Sequence, residues 1–167
     1  MNEDLKTEKE KAYNYAIYLL SLKLRTEGEL RDKLNIKKYK DDIIELVVTQ
    51  LKNDKYINDL KYAEVYVQNL KAYKYFGFYG IKKKLLEKKL TGNLIEKILK
   101  AHLSISEELV IAKKFLKKEK LETKIPSEEG VAHYQEFNQE GNKEKQKIMN
   151  RLRSRGFRSE VISRLIV

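Results

Sequence analysis

The apolar positions of this chain follow one spacing that occurs three times. Starting from Ile81, apolar residues stand at offsets 0, 4, 9, 13, 14, 17 and 18: Ile81, Leu85, Leu90, Leu94, Ile95, Ile98 and Leu99. The same offsets counted from Leu30 give Leu30, Leu34, Tyr39, Ile43, Ile44, Val47 and Val48. From Ile148 they give Ile148, Leu152, Phe157, Val161, Ile162, Leu165 and Ile166. Each set predicts a short helix, a tight turn and a second helix, since steps of three and four keep residues on one helical face. In the middle copy the helices are expected from Tyr79 to Lys88 and from Asn93 to Lys100. A spacing repeated in this way marks an array of supersecondary units.

A longer helix precedes each pair. Ala12, Ala16, Leu19 and Leu20 recur at helical spacing in the first, which is expected from Ala12 to Leu22. Ala16, Ala63 and Ala112 occupy equivalent places and are expected to let neighbouring helices approach closely. Thr26-x-x-Glu29 and Ser104-x-x-Glu107 read as capping boxes. Asp42 with Glu45, and Asp59, are expected to cap the third and fourth helices. The predicted architecture is all-α, with three tandem three-helix repeats at 11–57, 58–104 and 105–167, preceded by a flexible lead-in over 1–10. Leu30 to Ile81 is 51 residues and Ile81 to Ile148 is 67, so the third repeat carries an insertion around 120–143, broken near Pro126. A unit of about 50 residues buries little core alone, so the three are expected to stack into an elongated, curved rod.

Composition narrows the chemistry. The chain has 36 Lys plus Arg against 25 Asp plus Glu, a net charge of +11, and no cysteine. That excludes a disulfide framework and thiolate metal sites, and it favours a polyanionic partner. The charged N-terminus and the lack of a long apolar run give a cytoplasmic expectation, with no membrane partner. His102 and His133 stand in no metal-ligand spacing and read as surface or boundary residues. There is no phosphate loop, and Asn53–Asp59 lacks the glycine and final glutamate of a calcium loop. Glu128 and Glu129 fall in an exposed loop, and no Ser or Thr has a nucleophile setting. Neither an enzyme nor a cofactor is expected.

Cations and aromatics remain. Residues 71–100 hold nine lysines against Glu87 and Glu96, with Tyr73, Tyr75, Phe76, Phe78 and Tyr79 beside them. These aromatics are expected to form core between repeats. Lys82, Lys83, Lys84, Lys88 and Lys89 are candidate contacts, and Arg151, Arg153, Arg155 and Arg158 are a second group, arginine being suited to bidentate anion contacts. A basic pair also recurs at offsets 3 and 7: Lys33 and Lys37, Lys84 and Lys88, Arg151 and Arg155. Two readings stand side by side. The stems cover the edge of the core, or the heads form a basic track for a partner.

The chain resembles the RecX family of regulators of the bacterial recombinase RecA. The resemblance rests on Arg25 with Glu29-Leu30, on Tyr56, Asp59, Tyr62 and Ala63 within KYINDLKYAEVYV, on Gly77 and Gly80, and on Arg155-Gly156-Phe157. It departs at Lys55 and at Lys88-Lys89, where the family usually has a glycine before the Y-[IL] element and a K-G pair. The resemblance implies tandem three-helix units. It also implies binding in the groove of the RecA filament on single-stranded DNA and inhibition of its recombinase, ATPase and coprotease activities, and a monomer is expected.

The alternative is a helix-turn-helix-like DNA-binding protein or transcription regulator. The third helices present few base-reading side chains, Arg164 apart, so weak nonspecific phosphate binding is the expectation there.

Overall fold

The computed structural model describes residues 3–119 and 138–166, with side chains over 6–119 and 142–166. Among the described residues it is all-helical. In order come α1 (Glu3–Leu22), α2 (Glu27–Ile36), α3 (Asp41–Asn53), α4 (Asp59–Asn69), a π-helical turn (Leu70–Lys74), α5 (Phe78–Glu87), α6 (Gly92–His102), α7 (Ile105–Lys118), α8 (Asn138–Ser154) and α9 (Ser159–Ile166). The helical repeat fold is therefore as predicted. None of the 21 repeated apolar positions is exposed, and only Tyr39, Leu94, Leu165 and Ile166 are half-buried. Ala16, Ala63 and Ala112 are fully buried, as their placement requires. The inserted stretch 120–137, with Pro126 and His133, lies outside the described residues, and residues 138–143 begin α8.

The chain divides into two compact units, residues 1–66 with 85–96 and residues 67–84 with 97–167. In the first, α1, α2 and α3 close around Ala12, Ala16, Leu19, Leu30, Leu34, Ile43, Ile44, Val47, Val48, Leu51 and Ile57. In the second, α9 packs on α7 and α8, and Ile111, Phe115, Leu116, Ile148, Leu152 and Phe157 are buried.

Local signals account for the helix ends. Thr26 accepts from the Glu29 N–H at 3.1 Å while Glu29 accepts from the Thr26 N–H at 3.3 Å. Ser104 and Glu107 make the same reciprocal pair at the start of α7. Two capping expectations need correction. Lys40, not Asp42, precedes α3 and makes no side-chain cap, since an ammonium has no acceptor, and Asp42 accepts from the Ile43 N–H instead. Asp59 does not cap its own helix: Asn58 does, accepting from the Lys61 N–H at 2.9 Å. Asp59 instead reaches the Glu27 N–H at 2.8 Å, an orphan donor in the first turn of α2. The first helix also starts earlier than Ala12, at Glu3.

The turn between the second and third helix of each repeat is built identically. Lys38, Lys89 and Gly156, all at offset 8, take left-handed φ of 62°, 58° and 75°. Each donates three residues back, and the residue after it donates five back: Tyr39 to Leu34, Leu90 to Leu85 and Phe157 to Leu152. This is the Schellman ending, whose apolar contact joins the residue after the left-handed position to the one five earlier. Offsets 4 and 9 are apolar in every copy for that reason. Lys55 closes α3 in the same way, with φ of 61° and Tyr56 donating to Leu51.

Candidate partner-binding surface

The repeated cation at offset 7 turns inward. Lys37 lies over the Tyr15 ring at 5.3 Å, Lys88 over Tyr66 at 5.8 Å, and Arg155 over Phe115 at 5.2 Å. Each ring belongs to the first helix of the same repeat, so the recurring position is a stacking contact inside the fold.

Lys88 is held further. Its ammonium donates to Glu29 at 2.9 Å, and its carbonyl accepts from the buried Thr26 hydroxyl at 2.5 Å. The bond to Glu29 raises the Lys88 pKa, and partial burial opposes the rise. Lys89 pairs with Asp32 at 3.2 Å, and Gly28 sits so close to Lys89 that a Cβ there would collide with it. Nearby, burial works against the Glu27 carboxylate, but bonds from Lys52 and Arg31 outweigh it and hold its pKa below the usual value. Burial pushes the Asp59 carboxyl up, and the bond from the Glu27 N–H only partly offsets it.

In the second unit the signature glycines share one place. The Gly77 N–H donates to the Arg155 carbonyl at 3.0 Å and the Tyr79 N–H to the Gly156 carbonyl at 2.8 Å. A Cβ on Gly77 would strike the Phe157 backbone, and one on Gly80 or Gly156 would strike the opposite segment. Backbone meets backbone here, which only glycine permits. Below this joint lies Glu108, fully buried. Its carboxylate accepts from the Phe78 and Arg158 N–H groups at 2.9 Å each and from Arg158 Nε at 2.5 Å. The Arg158 guanidinium also reaches the Leu103 carbonyl and stacks on Phe78. Arg155 donates to the Lys74 carbonyl at 2.9 Å and lies between Phe76 and Phe115. Sequence reasoning missed Glu108. It directly follows the capping Glu107, and an acid beside a cap with an R-G-F-R segment downstream is the one signal available.

The remaining predicted contacts are solvent-facing. Lys33, Lys83 and Arg153 are exposed, and Lys82 and Lys84 are half-buried. Arg151 is exposed and pairs with Glu119 at 3.2 Å. Tyr73 and Tyr79 are 71% and 58% exposed, which corrects the core expectation for these two, while Tyr75, Phe76 and Phe78 are half-buried. Among the described residues there is no cluster of metal-ligating side chains, and no helix is long and apolar enough to cross a membrane.

Residues 12–51, the α1–α3 triplet, match the model of the first three-helix domain of RecX. The chain is 37% identical over 127 residues to the regulatory protein RecX of Streptococcus mutans, covering 74% of this chain and 48% of that protein. With the regulatory protein RecX of Geobacillus sp. (strain WCH70) it is 31% identical over 160 residues, covering 96% and 54%. The crystal structure of RecX from Lactobacillus salivarius superposes with a TM-score of 0.78 at 25% identity, covering 96% of both chains. The chain belongs to the RecX family. It spans about half the length of the curated RecX proteins it matches. Those relatives are named regulatory proteins. Lys55 and Lys89, where the resemblance leads one to expect glycine, take left-handed φ of 61° and 58°.

Proposed function

We propose that this chain is a non-enzymatic regulator that acts in the cytoplasm as a monomer. It binds the RecA–single-stranded-DNA filament in its helical groove and lowers the filament's recombinase, ATPase and coprotease activities. Membership of the RecX family carries the reading, and the net charge of +11 supports it physically. A basic surface is drawn to a nucleoprotein filament rich in phosphate and acidic side chains. Binding that bridges successive subunits would hold the filament in one state and slow steps that need the groove open.

The contacts assigned to the partner are Lys33, Lys82, Lys83, Lys84, Lys89, Arg151 and Arg153. Lys37, Lys88, Arg155 and Arg158 serve the fold first, through the rings and carboxylates they cover. The test is RecA ATP hydrolysis on single-stranded DNA with increasing protein, alongside co-sedimentation with filaments. Inhibition together with co-sedimentation is expected. Unchanged hydrolysis at saturating protein with no co-sedimentation would overturn the proposal.

A further inference from the structure

The outer side of α5 joins three features that the packing of this unit does not use. Tyr79, Lys82 and Lys83 stand at i, i+3 and i+4, so they share one side of the helix. Tyr79 is 58% exposed, yet its ring is not loose. It meets the edge of Phe78 at 5.3 Å and 85°, Phe78 carries the Arg158 guanidinium at 4.8 Å, and Arg158 is fixed by the buried Glu108. The Tyr79 backbone N–H is tied to Gly156. Neither Lys82 nor Lys83 has an ion-pair or hydrogen-bond partner among the described residues, whereas Lys88, Lys89, Arg151, Arg155 and Arg158 all have one.

A pre-ordered flat ring with two uncompensated cations one turn away is the arrangement that takes a base on the ring and phosphates on the ammonium groups. We propose that this face of α5 binds single-stranded nucleic acid, with Tyr79 as the stacking platform and Lys82 and Lys83 as phosphate contacts. An acidic protein surface would also bury such a ring, so the test below sets a polyanion with bases against one without them. The Phe78 and Tyr79 N–H groups already have acceptors, so the phosphates are held by side chains and not by those two helix-end donors. The inference deepens the reading above by naming nucleic acid as what this face meets. It is tested without recombinase, so the two can fail separately.

The chain contains no tryptophan, so Tyr79→Trp places a sole indole, excited apart from the tyrosines, on the platform. The probe is oligothymidylate of about 20 nucleotides, long enough to cover a single-strand site, in about 50 mM salt. Polyglutamate serves as the polyanion without bases, and Tyr18→Trp serves as an exposed reporter elsewhere. Oligothymidylate should quench the indole of the Tyr79→Trp variant and leave that of the Tyr18→Trp variant unchanged, and polyglutamate should quench neither. Tyr79→Ala should weaken oligothymidylate binding by roughly 5- to 100-fold while leaving the circular dichroism spectrum intact. Lys82→Glu with Lys83→Glu should weaken binding and flatten its log–log salt dependence by about 1.4, at about 0.7 per lost phosphate contact. Three results would each overturn the assignment: equal quenching by both polymers, equal quenching of the two reporters, or unaltered binding by Tyr79→Ala.

Discussion

Glu108 gives the sharpest test of how the second unit is held. The carboxylate is fully buried and satisfies three donors: two backbone N–H groups on separate segments and the Arg158 guanidinium. Glu108→Ala removes all three acceptor contacts and leaves a cation with a side chain only 23% exposed facing apolar neighbours. Truncating one partner of such a pair costs about 3–5 kcal/mol, because the other charge stays behind without its counter-ion. Glu108→Gln keeps the shape and one acceptor oxygen but turns an amide donor toward either an N–H or the guanidinium. Its expected cost is smaller, about 1–3 kcal/mol for an unsatisfied buried donor. Arg158→Ala alone should fall below Glu108→Ala, since the carboxylate keeps two backbone donors. The double variant should then show a coupling of about 0.5–3 kcal/mol. Urea unfolding followed by circular dichroism measures each value. A loss below about 1 kcal/mol for Glu108→Ala would mean that the backbone donors find water, and the account of a buried anchor would be wrong.

Two further outcomes follow from backbone geometry and from charge. Lys55 is exposed and holds a φ of 61° without a compensating contact, so Lys55→Gly should raise stability by about 0.5–1 kcal/mol after glycine's extra unfolded-state entropy is deducted. Gly156→Ala should do the opposite and lower the thermal midpoint markedly, because a Cβ there meets the Gly80 backbone; an unchanged midpoint would rule out the backbone joint. Glu107 is held below the ordinary glutamate value of 4.5, chiefly by the Ser104 N–H and further by Lys71, against an opposing burial effect. Its folded pKa is depressed, so its contribution is full above pH 4.5 and is lost as pH falls through the folded value. Glu27 acts in the same sense, while Asp59, raised by burial, acts in the opposite one. Thermal midpoints should therefore drop from pH 6 to pH 3, less steeply in Glu107→Gln; equal slopes would exclude the Ser104 cap as a source of acid sensitivity.

Most of the helical framework is legible in the sequence because burial in a repeat fixes apolar spacing and little else competes with it. The repeated seven positions, the three packing alanines and both capping boxes are local or periodic signals, and all appear in the structure. The left-handed helix endings are hidden, since three of these four positions carry lysine, which gives no conformational cue. Asp59 misleads because a helix-initiating aspartate looks the same whether it caps its own helix or one 32 residues earlier. Spacing alone leaves the basic pair at offsets 3 and 7 undecided. Only the position of Tyr15, Tyr66 and Phe115 on the first helices gives the second member of each pair a ring to stack on.

The residues that mark the family are, with few exceptions, parts of the fold. Arg25 donates to the Leu19 carbonyl, Glu29 completes a capping box and pairs with Lys88, Asp59 caps α2, and Gly77, Gly80 and Gly156 allow one backbone joint. Each is required by an internal contact, so its presence indicates which fold the chain adopts and says little about where a partner sits. The offset-7 cations are constrained in the same way. Among the cations without such an internal contact, Lys82 and Lys83 stand beside the exposed ring of Tyr79 on α5. Substitutions there should change binding without changing stability, whereas substitutions in the signature should change stability first. Measuring both quantities on each variant separates a partner surface from a packing motif.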